Sequence, residues 1–326
     1  MFLPTSFTLL ASAVFASAKN PLRSNQITAF VPFGDSYTDT FSPADGGTAW
    51  PTYAVGYAGK GVSLFPFARS GATCSNNLVS RPFPSVFESQ LPLWLQEKAN
   101  GSLSYLAGPN ARDQENALYF LWIGTNDVGD NGLLTGQSAP GVSLVDVVKC
   151  MINWVKVVYQ NGGRNFIFAN MIPLQRTILY STDSYINHYW TAVRNTTEWN
   201  VVMNELVLSG NELAQLMLQA LPPSMPGAHL GLFDAHSFFN DMLDHPSAYL
   251  NGTAPLNTTG AVKSCVYELN ESTADTGVCT IAQGSDRDSF IWYDELHPSE
   301  QSDRNVAREI AKAIKGQESE WIDWLF

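Results

Sequence analysis

A serine, an imidazole and a carboxylate that can act together lie near the two ends of the chain. Gly34-Asp35-Ser36-Tyr37-Thr38-Asp39 directly follows an apolar run, and Asp294-Glu295-Leu296-His297 stands close to the C-terminus. On one helical turn, residues three apart share a face, so Asp294 would accept the Nδ1–H of His297 and leave Nε2 pointing outward. That nitrogen needs a hydroxyl to work on. Ser36 follows the run Ile27 to Phe33 and the turn-permitting Gly34, which places it at the C-terminal end of a strand, where α/β sheets carry their active sites.

Two further segments supply what an acyl-transfer reaction needs besides a nucleophile and a base. Gly71 lies in Ala68-Arg69-Ser70-Gly71-Ala72-Thr73 after the stretch Val62 to Phe67, and Gly124-Thr125-Asn126-Asp127 follows Ala117 to Ile123. Each puts a small or amide-bearing residue just past an expected strand. Fixed donors of this kind, a backbone N–H and a side-chain amide, stabilise a developing oxyanion by roughly 3–4 kcal/mol each.

In this order and at these separations, the four segments resemble the conserved blocks of the GDSL, or SGNH, hydrolases. The resemblance covers nearly all of the chain after residue 18. It implies Ser36 as nucleophile and first oxyanion donor, Gly71 as second donor through its N–H, and Asn126 as third through its amide. His297 would then be the base and Asp294 its orienting acid. No metal or organic cofactor is called for. Tyr37 stands where the family usually has Leu, a position that flanks the chemistry. Asp35 and Asp39 are expected as hydrogen-bonded turn groups rather than catalytic acids. His245, preceded by Asp241 and Asp244, is the rival base.

The opening block, the Ser70 to Ser75 segment and the export features below look like the fungal acetylesterases that trim acetyl groups from plant cell-wall oligosaccharides. The function this implies is a secreted serine esterase acting on short acyl esters. A lipase or phospholipase acting on longer acyl chains is the alternative within the family. A carbohydrate-binding glycoprotein on a degenerate hydrolase fold is the alternative outside it, although all five site residues are present. Trp50, Tyr53, Trp190 and Trp199 are candidates to stack on sugar faces, with core packing as the competing role.

These residues must be carried by a scaffold, and the apolar pattern describes one. Near-continuous runs at Ile27 to Phe33, Val62 to Phe67, Leu118 to Ile123, Phe166 to Asn170 and Leu230 to Phe233 read as strands covered on both faces. Between them come helical stripes: Leu144, Val148, Met151, Ile152, Val155 and Val158, then Leu213, Met217 and Ala220 ended by Pro222-Pro223. Val306, Ile310 and Ile314 line a last helix closed by Gly316. The alternation predicts an α/β chain, a three-layer α/β/α sandwich. The resemblance implies the same fold, a flavodoxin-like sheet of five parallel strands. One domain is expected over residues 19–326, with insertions near 176–200 and 240–290. The aromatic tail Trp321 to Phe326 is expected to pack back on the domain.

Residues 1–18 read as a secretory signal, with Phe7 to Ala16 mostly apolar and Ala16-Ser17-Ala18 as a small-x-small cleavage site. Export also fits five Asn-x-Ser/Thr acceptors, at Asn100, Asn195, Asn251, Asn257 and Asn270. Four cysteines allow three pairings. Cys265 and Cys279 are close enough to staple one loop, and Cys74 and Cys150 would be left as a second pair or as buried thiols. No Cys-x-x-Cys or His-x-x-x-His spacing accompanies them, which argues against a metal site. Thirty acidic residues against 18 basic ones give a net charge of −12, a balance that repels nucleic acid. No run approaches the ~20 apolar residues of a membrane span. An oligosaccharide or small-molecule ester is the expected partner, and the sequence does not declare an oligomeric state.

Overall fold

The computed structural model describes residues 19–106, 114–274 and 278–326. The expected signal segment, residues 1–18, lies outside the described residues. In chain order the main elements are β1 (Ala29–Gly34), α1 (Trp50–Ala58), β2 (Ser63–Leu64), α2 (Leu91–Ala99), β3 (Ala117–Trp122), α3 (Thr125–Val128), α4 (Leu144–Gln160), β4 (Asn165–Ala169), α5 (Thr196–Gln219), β5 (His229–Phe233) and α6 (Ala235–Asp244). They are followed by β6 (Asn257–Ala261), β7 (Lys263–Val266), β8 (Val278–Ile281), β9 (Phe290–Trp292), α7 (Glu300–Ile314) and β10 (Ile322–Trp324).

The central sheet runs β2-β1-β3-β4-β5-β10, parallel except for its last strand. Every residue of β3 is buried, and its side chains alternate between two cores. Leu118, Phe120 and Trp122 face a layer built by α1, α6 and α7, while Tyr119 and Leu121 face one built by α2 and α4. This two-sided covering is why the strands read as unbroken apolar runs rather than alternating ones. The three-layer fold follows from it.

The structure departs from the expected elements in three places. The Val62–Phe67 run is a ladder only over Ser63–Leu64. Phe65 and Phe67 still donate to the Phe30 and Pro32 carbonyls, but Pro32 has no amide to return, so the pairing becomes one-sided. Helix α5 begins at Thr196, inside the segment read as an insertion, with the Asn195 side chain accepting from the Glu198 N–H as its cap. The aromatic tail packs back as expected and in doing so adds a sixth, antiparallel strand, pairing Ile322–Trp324 with Gly231–Phe233.

Disulfides Cys74–Cys150 and Cys265–Cys279 are both formed. The second joins facing residues of the β7–β8 hairpin, within the segment expected to carry a staple. Of the five glycan acceptors, Asn100, Asn195, Asn251 and Asn270 are exposed, whereas Asn257 is half-buried and its side-chain oxygen accepts from the Thr259 and Gly260 amides.

Candidate active site

Strand β1 ends on a residue that only glycine can be. Gly34 has φ +146, and a Cβ there would lie 2.1 Å from the Trp122 carbonyl oxygen of the neighbouring strand. The Gln90 amide clasps it from the other side, accepting from its N–H and donating to its carbonyl. The chain then turns, with Thr38 and Asp39 amides both donating to the Asp35 carbonyl. Ser36 is the partly exposed residue of this turn, between buried Asp35 and buried Tyr37.

Both flanking carboxylates act as turn acceptors. Asp35 accepts from the Tyr37 N–H, and burial pushes its pKa up to about 7. Asp39 accepts from Phe41 and Ser42 and, at 2.7 Å, from the Ser70 N–H. That last bond ties the Ser36 loop to the Gly71 loop. Gly71 itself sits at φ +76 with the Phe83 ring 2.4 Å from where a Cβ would be. Its place on the cavity wall is available to glycine alone.

Asn126 is the second residue of α3, just past the end of β3 and after Gly124 at φ +131. Its amide donates to the Ala72 carbonyl at 2.9 Å, which leaves a second N–H for the cavity it lines. The adjacent Asp127 is fully buried and accepts the Cys74 N–H through both oxygens, at 3.0 and 3.1 Å. Burial raises its pKa to about 7. These two bonds and the Cys74–Cys150 bridge to α4 hold the Gly71 and Asn126 loops in fixed relation.

The fourth segment differs from its expected geometry. Asp294 and His297 lie not on a helical turn but on an Asx-type turn, in which Asp294 Oδ1 accepts from the Leu296 and His297 amides at 2.9 and 2.7 Å. Pro298 follows His297 and disfavours helical backbone there. The imidazole still meets the carboxylate, with Nδ1 3.1 Å from both Asp294 oxygens. On its far side, His297 Nε2 is 2.8 Å from Ser36 Oγ. Burial works against the charged form of either partner. Their mutual attraction outweighs it, holding Asp294 near 2 and raising His297 above its ordinary value. An imidazole kept basic and aimed at a hydroxyl is equipped to take its proton.

Two tyrosines join this arrangement: Tyr37, expected only to flank the chemistry, and Tyr189, which no residue spacing pointed to. Tyr37 donates from its hydroxyl to the Leu296 carbonyl at 2.9 Å and sets its ring edge against His297, so it locks the serine turn to the histidine turn. Tyr189 donates to Asp294 Oδ2 at 2.8 Å, and its oxygen lies 2.8 Å from His297 Nδ1. The only sequence signal for Tyr189 was the aromatic density of the 176–200 segment.

All five expected site residues border one cavity of about 570 Å³. The four proposed sugar-stacking aromatics do not line it. Trp50 is wholly buried under the sheet, Tyr53 donates to Glu300, and Trp190 and Trp199 pack on each other. Phe83, Tyr189, Tyr267 and Tyr293 take that place in the wall. His245 pairs with Asp241 at the exposed end of α6, outside the cavity. Among the described residues, no group of three or more His, Cys, Asp or Glu is placed to hold a metal ion.

The model of the GDSL-like lipase/acylhydrolase family matches residues 30–310. An acetylesterase of Hypocrea jecorina is 30% identical over 90% of this chain and 90% of its own length. An acetylesterase of Thermothelomyces thermophilus is 25% identical over 96% and 97%. Among solved structures, an acetylxylan esterase from Geobacillus stearothermophilus is similar at a TM-score of 0.42 and 14% identity, over 89% of this chain and 95% of that one.

Proposed function

Because the chain belongs to the GDSL-like lipase/acylhydrolase family of carboxylic ester hydrolases, we propose that it is a secreted serine esterase that removes acetyl groups from plant cell-wall oligosaccharides. The observation that carries the mechanism is the 2.8 Å contact between His297 Nε2 and Ser36 Oγ. In this reading His297 takes the serine proton as Oγ attacks the ester carbonyl. The oxyanion is held by the Ser36 and Gly71 N–H groups and the free N–H of Asn126. His297 then protonates the departing alcohol, and the same base activates water to release acetate from the acyl-enzyme. Asp294 keeps the imidazole in the working tautomer and stabilises it when charged.

One observation supports a short acyl group. The relatives named above are acetylesterases, and the cavity of about 570 Å³ is shared by polar side chains such as Ser70 and Asn131 and by Phe83, Tyr267 and Tyr293, so the acyl preference rests on the relatives. Export is supported by the residue 1–18 pattern and by two disulfides. Among the described residues, no helix is long and apolar enough to cross a membrane.

The test is Ser36→Ala, assayed on an aryl acetate alongside acetyl and octanoyl esters of one alcohol. The variant should fold and lose hydrolysis, and the wild type should turn over acetyl faster. More than a few per cent of residual turnover in Ser36→Ala eliminates the nucleophile. Faster octanoyl hydrolysis replaces the acetylesterase reading with the lipase one.

A further inference from the structure

In a chain with 18 basic residues against 30 acidic ones, two cations border the catalytic cavity. Arg81 lines it together with Gly71, Phe83 and Asn126, and Lys263 is on the β7–β8 hairpin. Among the described residues, neither has a carboxylate within ion-pair distance. The cavity's carboxylates have hydrogen-bond donors within the protein, and Glu295 also feels the charge of Lys263. Asp130 accepts from the Tyr180 hydroxyl and the Asn131 amide, Glu295 accepts from the Tyr185 hydroxyl, and Asp294 holds His297.

Arg81 is also held in advance of any substrate. Asn76 accepts its backbone N–H and donates to the Phe83 carbonyl, and Glu88 fastens the foot of the same loop through Ser75, Asn76, Asn77 and Ser85. The guanidinium gives one N–H to the Asp130 carbonyl at 3.3 Å and lies 5.7 Å from the Phe83 ring centroid. Among the described residues, its five N–H donors in a fixed fork have a single carbonyl partner and remain largely unspent. The buried acids whose charge Arg81 faces, Asp35 and Asp127, are both pushed up to about 7. In acid conditions they are neutral and do not cancel it.

We propose that Arg81, aided by Lys263, binds a carboxylate on the alcohol portion of the substrate, so that the preferred esters are acetylated sugars bearing or neighbouring a uronic acid. A planar carboxylate matches the guanidinium fork in two-pronged geometry, which a neutral sugar hydroxyl does not. Arg81 lines the same cavity as Ser36, Gly71 and Asn126, so the carboxylate it would hold shares that cavity with the scissile ester. The proposal rests on the esterase reading above and adds the charge of the alcohol to it.

The test compares kcat/KM for an O-acetylated methyl glucuronoside with that for its neutral uronamide, which carries the same ester. The wild type should favour the uronate at low ionic strength by about tenfold, the size of one charge-assisted hydrogen bond, and the preference should shrink in high salt. Arg81→Gln should bring the ratio to near one, Arg81→Lys should keep part of it, and Lys263→Gln should reduce it. A purely structural role for Arg81 would slow both esters together and leave the ratio unchanged. A wild-type ratio at or below one, a ratio insensitive to salt, or one untouched in the Arg81 variants overturns the proposal. Turnover of aryl acetate with neither sugar ester cleaved overturns it as well. Failure to cleave any acetyl ester, aryl acetate included, removes the esterase reading instead.

Discussion

Replacing Tyr189 with phenylalanine removes one hydroxyl from beneath the base and leaves the ring in place. Asp294 has four donors: the Leu296 and His297 amides on Oδ1, the Tyr189 hydroxyl on Oδ2, and the imidazole Nδ1–H shared between the oxygens. The hydroxyl therefore holds the carboxylate oxygen that no backbone amide holds. A hydrogen bond to a buried charge contributes about 1.5–3 kcal/mol, and each 1.36 kcal/mol is tenfold. Tyr189→Phe should therefore lower kcat roughly tenfold to a hundredfold, because the carboxylate must be in register when His297 becomes charged. KM should change little, since this hydroxyl holds the base. Initial rates on an aryl acetate, with the melting temperature measured in parallel, give the answer. Combined with Asp294→Asn the effects should be less than additive, since both act through one carboxylate. A kcat within twofold of wild type, or full additivity with Asp294→Asn, refutes the reasoning.

Gly71→Ala forces a Cβ onto φ +76 and against the Phe83 ring, so the oxyanion loop must shift and kcat should fall at least about tenfold; rates on the same aryl acetate check it. Asp35 and Asp127 have folded pKa values of about 7 against an ordinary 3.8, so the folded state binds protons more tightly than the unfolded one. Their contribution is full below pH 3.8 and lost as pH rises through 7, and Asp35→Asn should flatten this part of the melting-temperature profile between pH 4 and 8. Replacing Cys74 and Cys150 by serine opens a cross-link spanning 76 residues, and denaturant titration should show a loss of about 4–5 kcal/mol by the loop-entropy model.

Much of this protein is readable from its residues because the relevant signals are local. Four of the parallel strands, β1, β3, β4 and β5, announce themselves as apolar runs since each is covered on both faces, whereas the edge strand β2 is only partly covered. Ser36, Gly71 and Asn126 each follow directly from one of those runs, so the strand ends that present them can be located without knowing how the strands pair. Asp294 and His297 are near enough in sequence to meet whatever the local backbone does, and they meet on an Asx turn as well as they would on a helix. The helical turn was the wrong expectation because the Asp294 side chain and Pro298 together outcompete helical hydrogen bonding.

What the residues could not disclose depends on segments far apart in the chain. Tyr189 reaches Asp294 across 105 positions, and Tyr37 reaches Leu296 across 259; a hydroxyl has no periodicity that declares its acceptor. Trp50, Tyr53, Trp190 and Trp199 stood as candidates for the cavity wall or for the core because aromatic type marks both a sugar platform and a core residue, and only packing separates the two. The sixth strand likewise exists because β5 offers an unpaired edge to a returning tail. Residue type and short-range spacing therefore marked which strands carry the candidate groups, and the family resemblance named their proposed roles. The meeting of those groups, the tyrosines that brace them and the charge lining the cleft were decided by tertiary structure, because each depends on which distant surfaces the chain buries against one another.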